Sequence, residues 1–216
     1  YRNGGLHDIA LHPDFARNGL VYFSFNQAGN PPAPASGGAP PRRESRVSLL
    51  RARFDGTRLQ EVTELFAGES YATSGSRVAF GRDGFVYMTT GAPFDEAAQD
   101  PRSIYGKVLR LTDQGRPAPG NPFAGGGGRA EVFSLGHRDH LGLAVHPASG
   151  AVVNAEHGPN GGDEVNLILP GKNYGWPRVS FGRNYDGSRH SPLPVADDVE
   201  PPLVLWVPSI APTGLA

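Results

Sequence analysis

An all-β fold built from repeated hairpins follows from three features: the density of turn formers, the lack of helical periodicity, and a strand-turn-strand unit that recurs along the chain. Thirty glycines and 21 prolines make up about a quarter of the 216 residues, which interrupts the chain too often for long helices and suits short strands with tight connections. No segment carries apolar residues at the spacing of an amphipathic helix. The repeated unit is Ile9-Ala10-Leu11-His12-Pro13 with Gly19-Leu20-Val21-Tyr22, then Val78-Ala79-Phe80-Gly81-Arg82 with Gly84-Phe85-Val86-Tyr87, then Leu143-Ala144-Val145-His146-Pro147 with Gly150-Ala151-Val152-Val153. In each, an apolar strand enters a Pro, Asp or Gly turn and returns as a second β-rich strand.

Units spaced by roughly 65 to 70 residues suggest the blades of a β-propeller, with a β-sandwich as the rival architecture. Further strands are expected at Val47 to Phe54 before the Asp55-Gly56 turn, Lys107 to Leu111, Glu131 to Ser134, Val165 to Leu169 and Leu203 to Val207. About four blades fit into 216 residues, all within one domain spanning 1–216. Residues 29–43, centred on Pro31-Pro32-Ala33-Pro34 and Gly37-Gly38-Ala39-Pro40-Pro41, cannot pack a core and read as a mobile surface loop. The run Gly125 to Gly128 reads as a second flexible excursion; no Lys-Ser/Thr and no helix follow it, so it is not a phosphate loop. His12 and His146 occupy matching turn positions in two repeats, which predicts a repeated structural role.

Composition narrows the function classes. Twenty Lys and Arg stand against 21 Asp and Glu, without a basic stripe interleaved with aromatics, so nucleic acid is not an expected partner. Without cysteine there is neither a disulfide framework nor a thiolate site. No apolar run approaches the roughly 20 residues that span a bilayer as a helix, so no membrane span is predicted. The start at Tyr1-Arg2-Asn3-Gly4-Gly5 and the end at Thr213-Gly214-Leu215-Ala216 read as cuts through a longer protein, incomplete at both ends.

Several blocks together resemble the soluble quinoprotein glucose/sorbosone dehydrogenase family. They are Gly4-Gly5-Leu6-His7-Asp8-Ile9-Ala10-Leu11-His12-Pro13-Asp14-Phe15; Gly106-Lys107-Val108-Leu109-Arg110-Leu111 with Gly120-Asn121-Pro122-Phe123; Ser134-Leu135-Gly136-His137-Arg138; and Gly158-Pro159-Asn160-Gly161-Gly162-Asp163-Glu164-Val165-Asn166 leading into Gly171-Lys172-Asn173-Tyr174-Gly175-Trp176-Pro177. Each string is weak alone, but their order and spacing match the family over nearly the whole chain. The resemblance implies a six-bladed propeller of which about four blades are represented here. It also implies oxidation of an aldose sugar at C1 to the lactone with pyrroloquinoline quinone (PQQ) and calcium, an external electron acceptor, and export to the periplasm or beyond. It leaves the oligomeric state open.

The same resemblance assigns residues. Arg138, with its neighbour Asp139, falls at the cofactor position, and a guanidinium suits a planar tricarboxylate because it offers forked donors and keeps its charge. Gly158 and Pro159 match residues whose backbone carbonyls hold the calcium beside the quinone. Glu164 and the carbonyl of Tyr174 match ligands of a second calcium, a cation that takes hard oxygen ligands. His7, His140 and His157 fall within motif loops, but their spacings match no recognised metal-ligand pattern.

Departures cluster at these same loops. Thr73 stands where the family carries the histidine that removes the sugar hydroxyl proton, and a threonine hydroxyl has no useful basicity near neutral pH. Asn3 replaces a substrate-facing glutamine, Ala92-Pro93 follow Gly91 where an acidic residue is expected, and Asp139-His140-Leu141 replace an Asn-Pro-Gln run. Three functions therefore compete: a sugar dehydrogenase, a propeller that binds sugar, quinone or protein without turnover, and a lactonase-type hydrolase using metal-bound water.

Overall fold

Three antiparallel four-stranded sheets follow one another along the chain. The computed structural model describes residues 5–28, 45–71, 75–92 and 96–216; Asn3, Thr73, Pro93 and the expected mobile loop 29–43 lie outside the described residues. The first sheet runs β1 (Gly5–Leu11), β2 (Leu20–Ala28), β3 (Ser45–Phe54), β4 (Leu59–Ala67). The second runs β5 (Val78–Phe80), β6 (Val86–Thr90), β7 (Lys107–Leu111), β8 (Val132–Leu135), and the third β9 (Asp139–Val145), β10 (Val152–His157), β11 (Asp163–Leu167), β12 (Val204–Trp206). Each sheet is a simple meander. First strands touch in sequence, β1 against β5 and β5 against β9, so the sheets stand side by side as propeller blades around their leading strands.

The repeated hairpins are β1–β2, β5–β6 and β9–β10, as the internal repeat predicts. In the first, a short helix α1 (Phe15–Asn18) fills the turn and Gly19 closes it at φ 64°, with its N–H donated to the Phe15 carbonyl. His12 and His146 serve as turn anchors: Nδ1 of His12 lies 3.0 Å from the Asp14 N–H nitrogen, and Nδ1 of His146 lies 3.2 Å from that of Ser149.

The described residues form three sheets. The long stretch between β11 and β12 is irregular apart from isolated bridges, because its Pro and Gly residues remove ladder donors and strand propensity. Gly125 to Gly127 are exposed turn residues in the connection between β7 and β8, and Gly128 approaches Pro101. Strand β4 carries no clean alternation and was not recognisable; most of its side chains are exposed, so little apolar pattern marks it.

The middle blade explains the packing. Strand side chains alternate between faces, and Val86, Met88, Leu109, Leu111 and Val132 enter one core, shared with Tyr22, Val47, Leu49 and Phe66 of the first blade. Their neighbours Tyr87, Val108 and Phe133 enter a second core with Val152, Ile168 and Tyr174 of the third blade and the loop after it. Period two in β6, β7 and β8 thus staples three sheets together.

Lys107 begins β7 and is fully buried. Its ammonium donates to the carbonyls of Ala97 (2.7 Å), Ala98 (3.0 Å) and Tyr105 (2.6 Å), closing the 3-10 turn Glu96–Ala98 against the strand. Burial pushes its pKa down to about 7, against the pull of Asp100 and Glu69. Lys107→Met retains the stem but takes away the donor that the carbonyls of Ala97, Ala98 and Tyr105 share, Ala98 keeping the Gly136 N–H, and buried hydrogen bonds lost in this way are costly. Urea denaturation is expected to show a loss of about 2–4 kcal/mol, with Lys107→Arg losing less.

Candidate active site

The site grows from the turns that leave β8 and β10. Residues Gly136-His137-Arg138 connect β8 to β9, and Gly158 to Gly162 connect β10 to β11. Gly158 is compelled: a Cβ there would sit 2.0 Å from the Gly161 carbonyl oxygen and 2.6 Å from that of Gly162. The turn therefore crowds backbone oxygens together in a way any side chain would prevent.

Arg138 reaches over this turn. Its Nη1 donates to the carbonyls of His157 and Gly158, both at 2.9 Å, and its Nη2 to the Tyr185 hydroxyl at 3.1 Å. The guanidinium lies 5.1 Å from the centre of the Trp176 ring, and that indole stacks on His190 at 4.6 Å. A small cleft bordered by Arg138, Glu156, Gly158, Glu164, Tyr174 and Trp176 opens at this point. A larger cavity of about 260 Å³ adjoins it through Glu164 and Tyr174 and takes in Asp197 and Glu200.

Beneath the cleft, one face of the third blade is polar and buried. Glu156 lies opposite His140 in the β9–β10 ladder and opposite Glu164 in the β10–β11 ladder, while Asn154 pairs with Asn166. Glu156 Oε2 lies 3.2 Å from His137 Nδ1 and accepts the Arg138 N–H at 3.3 Å. Asn166 Nδ2 bridges Glu156 Oε1 (3.1 Å) and Glu164 Oε2 (3.3 Å). His137 stacks on Tyr174 at 4.4 Å.

Two carboxylates directly opposed across a ladder cannot both ionise freely. Burial opposes ionisation of Glu156, but the neighbouring His137 prevails and holds its pKa low. Burial, then the charge on Glu156, pushes Glu164 up to about 8. Burial also pushes His140 down to about 3, so it is neutral. Asp163 is a turn anchor: Oδ2 accepts from Ile210 N–H (2.9 Å) and Ala211 N–H (2.8 Å), and Oδ1 from Gly158 N–H (3.2 Å).

Of the residues expected at the site, the cleft brings together Arg138, Gly158, Glu164 and Tyr174. Asp139 and Pro159 do not border it. Asp139 turns its Oδ1 into a buried spot without a hydrogen-bond partner, beside Gly75; the ring of Pro159 packs on Gly182. Sequence reasoning singled out neither His137 nor Glu156, although Asn154 and Glu156 alternate as polar residues in an otherwise apolar strand. Trp176 and Tyr185 were also missed as partners of Arg138.

Three consecutive blades with a polar cleft at their turns define a protein of the β-propeller class. The family model for glucose/sorbosone dehydrogenase matches residues 1–216, and the chain belongs to that family. It is 34% identical over 220 residues to the aldose sugar dehydrogenase YliI of Escherichia coli, covering 99% of this chain and 57% of that protein. The apo crystal structure of the soluble aldose sugar dehydrogenase from Escherichia coli superposes with a TM-score of 0.88 at 32% identity, over 99% of this chain and 61% of the other. The PQQ-bound aldose sugar dehydrogenase of Streptomyces coelicolor gives a TM-score of 0.71 at 33% identity, over 95% and 54% of the two chains. The chain thus spans little more than half the length of these relatives.

The carboxyl pair makes a pH prediction. Glu164 in the folded chain holds its proton up to about pH 8, whereas the ordinary value is 4.5. The native state therefore binds more protons than the unfolded state between these limits, and stability falls as pH rises through this window. In chelator-treated protein, Glu164→Gln is expected to flatten that decline and to be more stable than the parent above pH 8 by on the order of 1–2 kcal/mol, read from denaturation at pH 5 and pH 8.5.

Proposed function

We propose that this chain forms part of the active site of a PQQ-dependent sugar dehydrogenase that oxidises an aldose at C1 to the lactone, with calcium holding the quinone and an external acceptor taking the electrons. The observation that carries this reading is the convergence of the Arg138 guanidinium and the Gly158 carbonyl on one cleft, beside the carboxylate of Glu164. Export to the periplasm or the medium belongs to the same proposal and rests on family resemblance alone.

The residues present fit both groups. A planar polycarboxylate calls for a fixed cation with forked donors, and Arg138 is held at a single place by Trp176 below and backbone carbonyls beside it. Calcium calls for hard oxygens, and the Gly158 to Gly162 turn crowds carbonyls where no side chain fits. The ordinarily unfavourable opposition of Glu164 and Glu156 favours a divalent cation at Glu164, with the Tyr174 carbonyl as a further oxygen.

The quinone, when bound, supplies the hydride acceptor. The chain's own contribution is orientation. His137 and the Arg138 N–H hold Glu156, and Glu156 in turn pins the backbone from which the Arg138 side chain projects. Glu164 would hold calcium as the charged carboxylate, giving up its proton to do so. Proton removal from the sugar needs a base, and the Thr73 hydroxyl is a poor one. That substitution favours the second reading, a propeller that binds quinone or sugar without turnover.

The test is quinone-dependent dye reduction with a panel of aldoses on the full protein reconstituted with calcium, alongside Thr73→His. Turnover by the parent protein supports a dehydrogenase with another base; binding without turnover, relieved in Thr73→His, supports the binding reading. Failure of quinone and calcium to raise the melting temperature sinks the quinoprotein reading. Arg138→Ala is expected to weaken quinone binding by roughly 10- to 100-fold, measured by titration, with the calcium-dependent rise in melting temperature retained.

A further inference from the structure

The buried polar face holds more histidine than the quinone site uses. Among the described residues, one group of His and carboxylate side chains gathers ligand atoms within 4.8 Å of one another: His137, His140 and Glu156. Both imidazoles are 0% exposed and Glu156 is 4% exposed. Glu156 Oε2 lies 3.2 Å from His137 Nδ1 and 3.8 Å from His140 Nδ1. Ligands about 2.0–2.1 Å from a tetrahedral ion are separated by roughly 3.3 Å, so the His137–Glu156 edge of such a polyhedron is already near its length.

We propose that His137, His140 and Glu156 form a binding site for a first-row divalent transition ion, Zn²⁺ above all, with a fourth position facing the cleft that Glu156 borders. Three observations carry it. The first is that the outer partners expected around metal-binding imidazoles are in place: Ser134 Oγ is 2.8 Å from His137 Nε2, the Asn154 amide reaches His140 Nδ1 at 2.7 Å and accepts from it once its oxygen is turned inward, and Asn166 holds the second oxygen of Glu156. Without metal, His137 Nδ1–H donates to Glu156; with the proton on Nε2 and donated to Ser134, the Nδ1 lone pair faces the carboxylate and a cation between them takes the place of that proton.

The second is that protein groups alone do not satisfy His140. With Asn154 donating to Nδ1, the ring proton lies on Nε2, which is buried without a partner, and Asn154 Oδ1 is unpartnered as well. Turning the Asn154 amide over lets its oxygen accept from Nδ1–H, but Nε2 then carries a buried lone pair without a donor. The second arrangement pairs the Asn154 oxygen and offers a metal the Nε2 lone pair, whereas the first strands an N–H and an amide oxygen. The third is chemical: two imidazoles and one carboxylate suit Zn²⁺, Co²⁺ or Fe²⁺ and are poor ligands for calcium, so this site would discriminate against the ion proposed for the neighbouring oxygens. The proposal does not depend on quinone chemistry.

The experiment uses the full protein stripped with chelator and titrated with Co²⁺, then Zn²⁺, with calcium present in excess throughout. One equivalent of Co²⁺ is expected to give intense visible bands of a four- or five-coordinate ion, displaced by Zn²⁺, and His140→Leu is expected to weaken binding by roughly 100-fold. X-ray absorption of the Zn²⁺-loaded parent, which needs no variant to fold, should show two imidazoles in the first shell. A spectrum of six oxygen ligands, one imidazole or none, or equal binding in a folded His140→Leu overturns the proposal.

Discussion

The carboxylate of Glu156 is the constraint on which the site depends. It is taken out of water in the middle of a sheet, where an isolated charge is costly, and it is tolerated because His137, the Arg138 N–H and Asn166 all converge on it. Those contacts tie the turn after β8 to the end of β10 and to β11. Arg138 and the Gly158 carbonyl meet because the same carboxylate fixes one segment and begins the other.

That constraint in turn requires a rigid blade. The third sheet is held by the apolar contacts that β6, β7 and β8 send through their second face, and by Tyr174, whose ring stacks on His137 while its hydroxyl bonds to the backbone of Leu167 and Leu169. The middle blade is apolar on both faces, which lets the third blade be polar on one of its own. Lys107 shows the same economy elsewhere: a single buried ammonium serves three inward carbonyls.

The fold was legible where local rules decide it. Strand β7 coincides with its expected limits, and the three hairpins appear where the apolar-turn-apolar unit repeats. Strand β4 was not legible, because an exposed outer strand needs no apolar face. For the site, family resemblance placed Arg138, Gly158, Glu164 and Tyr174 around one cleft, whereas Asp139 turns aside. The pairing of Glu156 with both Glu164 and His140 was not legible, since it depends on register across two ladders. His140 was grouped by loop position with His7 and His157; its partner instead is His137, only three residues earlier, brought round by the start of β9.

The distribution of departures from the family pattern has a physical reading. Thr73 and Asn3 lie outside the described residues, whereas the surroundings of His140 are defined. His140 differs: it replaces a residue at the start of a strand, inside the polar face, and a buried imidazole survives there only if something accepts its nitrogens. Asn154 accounts for one nitrogen and leaves the other. The third blade therefore carries an imidazole at His140 that the side chains around it do not complete, next to the carboxylate that holds the site together. Change at His140 acts on the polar face itself, because its Nδ1 meets Asn154 and its backbone lies opposite Glu156 across the ladder.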